Sequence, residues 1–254
     1  MQHKDINNSL KKNKNNLFEI LYIYGMKRTI VLTAITGGKD KLVDPDVVFD
    51  SCDYFAFVDE VDYSLKVWNQ ILNYKFSNLI HTHRRNAKVP KILSQSFWNH
   101  YQYIVWHDGT HQLAVNPEDI YDEYGNFDLL CFRHAQRRCL YQELDAIENM
   151  DAPNLINSQR EYYKSVGMPE YYGMYEMGCY IRQVNRNTID FGLAWFEQVC
   201  RFTSRDQVSF PFVFWQMENR INLKVMKGNC SQYIGTHFEN DGNKYFKNHS
   251  THII

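Results

Sequence analysis

The rhythm of hydrophobic and polar positions changes several times along the chain. Residues 1–16 are polar, rich in Asn and Lys and without periodic apolar positions, and they read as a tail. Thr29 to Ile35 is then an almost unbroken β-branched and aliphatic run, the signature of a buried first strand. Tyr54–Val58 and Tyr101–Trp106 are two further apolar runs, and Cys179–Arg182 reads as another strand. Elsewhere the spacing becomes helical. From about residue 137, Cys139, Leu140, Glu143 and Leu144 fall close together on one side of a helix, and a second helical stretch surrounds Trp195 and Glu197. Strands interleaved with helices predict an α/β fold. No apolar run approaches the roughly 18 residues needed to span a bilayer. The most apolar N-terminal stretch, Leu17–Met26, is broken by Glu19 and lacks a small-residue cleavage site.

The strand ends carry the candidate chemistry. The first strand runs into Thr36-Gly37-Gly38, a turn of the kind that brings backbone N–H groups to phosphate or ribose, and equally an ordinary turn. The second strand stops at Asp59-Glu60 and the third at His107-Asp108-Gly109. Ligands of open α/β sheets lie beyond the carboxyl ends of the strands. Acids there can hold a ribose, a uracil-type base or a metal, or can simply open a turn or cap a helix. Arg205-Asp206-Gln207 sets a cation, a carboxylate and a carboxamide side by side. It can form a site, or an N-capping Asp with a salt-bridged Arg. His134 precedes a helix. Tyr162, Tyr163, Tyr171 and Tyr172 belong to an aromatic-rich stretch able to stack on sugar rings. His249 and His252 have a spacing that can supply metal ligands.

Composition sharpens this picture. The 254 residues suit one large α/β domain or two small ones, and 44% hydrophobic content suits a packed core. A net charge of -1 argues against a general nucleic-acid binder. That total hides a segregation. Arg84, Arg85, Lys88 and Lys91 form a basic block without an acid. Residues 92–132 then hold no Lys or Arg but contain Asp108, Glu118, Asp119, Asp122, Glu123 and Asp128. A basic cluster near an acidic metal site suits a diphosphate, whereas on base rates such a run is a solvated helix face. The six cysteines form no Cys-x-x-Cys pair and read as free thiols of a reducing cytosol.

Several uncommon motifs in fixed order then carry a resemblance. They are Thr33-Ala-Ile-Thr-Gly-Gly38, Phe57-Val-Asp59, Arg85-Asn-Ala-Lys88-Val-Pro-Lys91, Ile104-Val-Trp-His-Asp108-Gly109 and His134-Ala-Gln-Arg137-Arg-Cys-Leu-Tyr-Gln-Glu143. Gly167-Met-Pro169, Arg182, Trp195 and Arg205-Asp206-Gln207-Val-Ser-Phe210 follow. Over about 28–216 the chain resembles the glycosyltransferase-like domain of plant turgor-regulation and mucilage-related proteins. The resemblance implies a single GT-A-like, Rossmann-like domain with a mostly parallel mixed sheet flanked by helices. It would occupy 26–216, after an extension of 1–25 and before a C-terminal segment of 217–254.

The resemblance also implies roles. Thr33, Ala34, Thr36, Gly37 and Asp59 would line the nucleotide's uridine pocket, and Arg85, Lys88 and Lys91 would face the nucleotide or its phosphates. Asp108 would hold Mn²⁺ or Mg²⁺. The usual Asp-x-Asp is here Asp108-Gly-Thr110, so a second ligand would come from His249 or His252, with His237 behind them. Asp206 would serve near the acceptor as general base or as stabiliser, with Gln207 beside it, while His134, Arg137 and Glu143 would shape the donor-sugar pocket. The implied activity is sugar transfer from a nucleotide-diphosphate sugar, UDP-linked, to a glycan acceptor in cell-surface polysaccharide or glycoprotein synthesis, in the cytoplasm. Two other readings stand beside it: a non-catalytic sugar-binding module, and a ceramidase-like lipid amidase. The chain has neither a Gly-x-Ser-x-Gly elbow nor a His-Glu-x-x-His helix to support the latter.

Overall fold

A seven-stranded sheet runs through the middle of the molecule in the computed structural model, which describes residues 27–38, 40–72, 82–148, 151–230 and 243–248. The strands are β1 (Thr29–Ile35), β2 (Cys52–Val58), β3 (Asn69–Leu72), β4 (Tyr103–His107), β6 (Leu129–Arg133), β7 (Tyr175–Gln183) and β8 (Leu223–Met226), in the order β3-β2-β1-β4-β7-β6-β8. Neighbours from β3 to β4 are parallel. β7 runs antiparallel to both β4 and β6, and β6–β8 is again parallel. The sheet is thus mixed and mostly parallel. A small antiparallel pair, β5 (His111–Leu113) with β9 (Phe246–Asn248), lies beside it.

Six helices complete the described residues: α1 (Thr82–Phe97), α2 (Pro117–Tyr124), α3 (Leu140–Ala146), α4 (Pro153–Ser165), α5 (Arg186–Arg201) and α6 (Asp206–Met217). The sheet buries both faces, which is why β1 reads as a continuous apolar run rather than an alternating one. Ile30, Leu32, Ile104 and Trp106 point into a core with α1, α3, α4, α5 and α6. Val31, Val105, Leu130 and Cys179 point the other way, into a core with α2, Leu113, Tyr245 and Phe246. α6 is apolar almost all round because it is buried. α5 starts at a reciprocal cap in which the Asn185 side chain takes the Thr188 N–H and the Thr188 hydroxyl takes the Asn185 N–H.

The strands expected at 54–58, 101–106 and 179–182 are present, and β7 is much longer than its apolar centre. β8 is an edge strand of the main sheet and β9 pairs with β5, so the chain after 216 is built into the same two sheets. No helix among the described residues is long and apolar enough to cross a membrane.

Candidate active site

Asp108 follows the carboxyl end of β4, where its N–H donates to the Gly178 carbonyl of β7 at 2.7 Å. Its Oδ1 accepts from Lys91 Nζ and from Trp106 Nε1, both at 2.9 Å. Its Oδ2 has no partner among the described residues, and the side chain is 45% exposed. Lys91 is buried, and its ammonium also reaches Asp206 Oδ2 at 3.0 Å; Lys88 Nζ lies 2.8 Å from Asp206 Oδ1. Two carboxylates and two ammoniums therefore form one chain. Burial alone would raise the Asp206 carboxyl, but Lys88 and Lys91 outweigh it and hold the group well below its ordinary range. The same competition lowers Asp108, through Lys91 and Lys88, and keeps the Lys91 ammonium above its usual value.

Distant residues hold this chain in place. Arg182 donates to the carbonyls of Lys91 and Ile92 and to Ser94 Oγ, and the Tyr180 hydroxyl also reaches the Lys91 carbonyl, so β7 grips α1 at the residue that meets Asp108. Trp195 Nε1 donates to the Asp206 carbonyl at 2.9 Å.

Glu143 centres a second cluster. Its buried carboxylate accepts from Arg137 Nη1 at 2.7 Å, from Arg205 Nε at 2.8 Å and from Gln207 Nε2 at 3.2 Å. His134 Nε2 stands 3.6 Å away. His134 Nδ1 accepts the N–H groups of Gln136 and Arg137. Burial pushes the imidazole down to about 4, so it is neutral and serves as a loop anchor. Arg205, Arg84, Lys88 and Asp151 line a cavity of about 230 Å³. Arg137, Arg133, Arg138, Tyr171 and Tyr172 line another of about 420 Å³. Glu143 thus partitions two cationic clefts and sends one arginine to each. Glu143 itself lies behind the walls of both clefts.

The other expected positions lie towards the ends of β1 and β2 and at the start of α1. Thr33 is buried on the face opposite the lysines, where it lines a small cavity with Trp68 and His107. Ala34 packs against the helical core. The Thr36 hydroxyl donates to the His83 carbonyl, and Asp59 Oδ2 accepts the Gly37 N–H at 2.7 Å, tying the ends of β1 and β2 together. Gly37 has φ +76°, and a Cβ there would come 2.7 Å from the His83 ring. Arg85 lies behind the cavity wall, with its Nη2 4.0 Å from Asp151 Oδ1. It is buried and donates to the carbonyls of Val199 and Phe202 at the end of α5. Its neighbour Arg84 faces the cavity instead. The missed signal is helical register, since 84, 88 and 91 recur at i, i+4 and i+7 while 85 does not. Trp106 was visible only as a core residue, and its donation to Asp108 has no local sequence mark. His237, His249 and His252 lie outside the described residues.

The family model described as "TOD1/MUCI70, glycosyltransferase-like domain" matches residues 15–236. An Arabidopsis thaliana protein named probable hexosyltransferase MUCI70 is 32% identical over 157 residues, which are 56% of this chain and 27% of that protein. The chain therefore spans roughly a quarter of that relative's length. Two of the solved structures that overlap it are transferases by name. Mouse xyloside xylosyltransferase 1, apo form, has a TM-score of 0.47 at 10% identity, covering 90% of this chain and 99% of that one. Galactosyltransferase LgtC, in complex with donor and acceptor sugar analogues, has a TM-score of 0.41 at 8% identity, covering 78% and 73%.

Proposed function

The chain belongs to the TOD1/MUCI70 glycosyltransferase-like domain family, and on that premise we propose that it moves a sugar from a nucleoside-diphosphate sugar, a UDP-sugar in particular, to a glycan acceptor in cell-surface polysaccharide or glycoprotein synthesis. The observation that carries this reading is the Asp108 carboxylate, half exposed beyond a central strand, with one oxygen locked and the other open. Mg²⁺-type ions are held by one or two carboxylates together with phosphate oxygens, so this donor set fits Mn²⁺ or Mg²⁺. When bound, such an ion supplies positive charge to the diphosphate as the sugar–phosphate bond breaks.

The chain's own residues divide the remaining work. Trp106 and Lys91 orient Asp108 so that only Oδ2 is offered. Arg84, Lys88 and Arg205 line the neighbouring cavity and meet the charge that develops on a departing diphosphate. Asp59 and the Gly37 turn frame the end of β1 where the nucleoside would lie. Asp206 stays ionised and fixes Lys88 and Lys91 rather than moving a proton. The larger cleft, with Tyr171 and Tyr172 beside three arginines, offers aromatic faces and donors to the acceptor.

Calorimetry with UDP tests the reading. Binding should require Mn²⁺ or Mg²⁺ and should vanish in Asp108→Ala. A panel of nucleotide sugars with Mn²⁺ should then release UDP in the presence of acceptor. Absence of UDP or UDP-sugar binding with either ion sinks the proposal, and glycan binding independent of nucleotide would favour a non-catalytic sugar-binding module.

A further inference from the structure

A second group of ligating atoms lies behind Asp108, on the opposite side of the sheet end from the lysines. His111 opens β5, Cys179 sits in β7, and Cys230 follows β8. Their ring nitrogen and two sulfurs all lie within 4.8 Å of one another. We propose that His111, Cys179 and Cys230 form a binding site for a thiophilic divalent cation of the zinc class.

The geometry supports this in four ways. Cys230 Sγ is 3.5 Å from His111 Nε2. A tetrahedral zinc with sulfur at about 2.3 Å and nitrogen at about 2.1 Å separates those two atoms by about 3.6 Å. All three side chains are buried, so the donors are gathered rather than scattered on a surface. His111 Nε2 donates to the Cys230 carbonyl at 3.2 Å, a bond that a cation would replace; Thr110 Oγ1, 3.0 Å from Nδ1, can then take the proton on Nδ1 and turn the Nε2 lone pair to the cation. Gly178 supplies the room: a Cβ there would fall 2.8 Å from Cys230 Sγ, and Glu176 Oε2 fixes the approaching loop by accepting the Cys230 N–H at 2.6 Å.

Donor chemistry separates this site from Asp108. Two sulfurs and an imidazole select zinc-like ions, whereas Mg²⁺ and Mn²⁺ prefer oxygen. Three protein donors leave the fourth tetrahedral position to solvent. A cation here would tie β5, β7 and the chain after β8 together directly behind the Asp108 turn. The competing use of the same sulfurs is a Cys179–Cys230 disulfide, in which His111 has no part.

Cobalt titration decides between them. The full chain, reduced and stripped of metal under anaerobic conditions, is titrated with Co²⁺ and then with Zn²⁺. A thiolate-to-cobalt charge-transfer band should saturate at about one ion per chain and be displaced by Zn²⁺. The Cys179→Ser/Cys230→Ser double variant should lose the band and bind Zn²⁺ at least about 100-fold more weakly, beyond the loss from removing an outer-shell partner. Cys200→Ser and Asp108→Ala should keep it. Bound Zn²⁺ should also protect two thiols of the wild-type chain from alkylation, a readout that stands even if the double variant fails to fold. The proposal is overturned by a wild-type chain without the band, by a band that survives the double variant, or by thiols that join in air and take up no Co²⁺. None of these readouts depends on sugar transfer, so failure here and failure of the transferase reading are separate results.

Discussion

Asp108 and Glu143 are both carboxylates beside cations, yet their surroundings leave them with opposite capacities. Glu143 is buried and accepts from two arginines and an amide, so both oxygens are occupied. Asp108 has its two donors on the same oxygen and keeps the other open at the surface. A carboxylate whose lone pairs are filled by the fold acts as architecture. One fixed by a single oxygen can act as a ligand whose orientation is already set. The difference lies in the distribution of donors rather than in net charge, since cations accompany both groups.

Removing Glu143 should have the largest effect. Glu143→Ala should destabilise the fold by about 3 kcal/mol, at the low end for a broken buried ion pair because Arg137 and Arg205 can turn to water. Urea denaturation measures it. A variant of unchanged stability but abolished transfer would break the comparison by making Glu143 the reactive group. Asp108→Ala should do the reverse. Mn²⁺-dependent UDP affinity should fall at least about 100-fold, or about 2.8 kcal/mol, while stability moves by less than about 1 kcal/mol. Calorimetry and denaturation on the same variant check both halves.

The Glu143 cluster should also show in the pH dependence of stability. His134 is pushed down from 6.5 to about 4 by burial. Between these values the unfolded chain binds the extra proton, so stability falls as pH drops from about 6.5 towards 4. The loss should be about 2 kcal/mol by pH 5. Denaturation at pH 7 and pH 5 should show it, and His134→Asn, which keeps an acceptor for the loop, should flatten it. A slope unchanged by that substitution would remove His134 from the account. Trp106→Phe tests the locked oxygen of Asp108 with the smallest change. Loss of one donor should cost about 1 kcal/mol of metal-dependent UDP binding, and an effect as large as that of Asp108→Ala would mean that Trp106 acts by more than this hydrogen bond.

Much of this arrangement can be read along the chain. β1, β2 and β4 are legible as β-branched or apolar runs, and the acids at their ends mark the ligand side of the sheet. Lys88, Lys91, Asp108 and Asp206, taken from three separate stretches, do converge on one cluster. A motif names neighbouring residues without their helical phase, and one residue of phase makes Arg85 the α5 contact while Arg84 lines the cavity. Strand alternation likewise sends Thr33 to the face opposite the lysines, beside Trp68 and His107.

Local chemistry therefore settles where the chain extends, where it coils and which strand ends carry acids. These properties depend on neighbours a few residues apart, whose spacing the chain displays directly. Only the assembled fold decides which oxygen of Asp108 stays open, that Glu143 is filled, and that Cys179 meets Cys230 and His111. Each of these depends on partners from remote stretches brought together by β7, α1 and α6. Hydrogen-bond capacity is exhausted or spared by geometry over a few ångströms, and residue type alone does not contain that geometry.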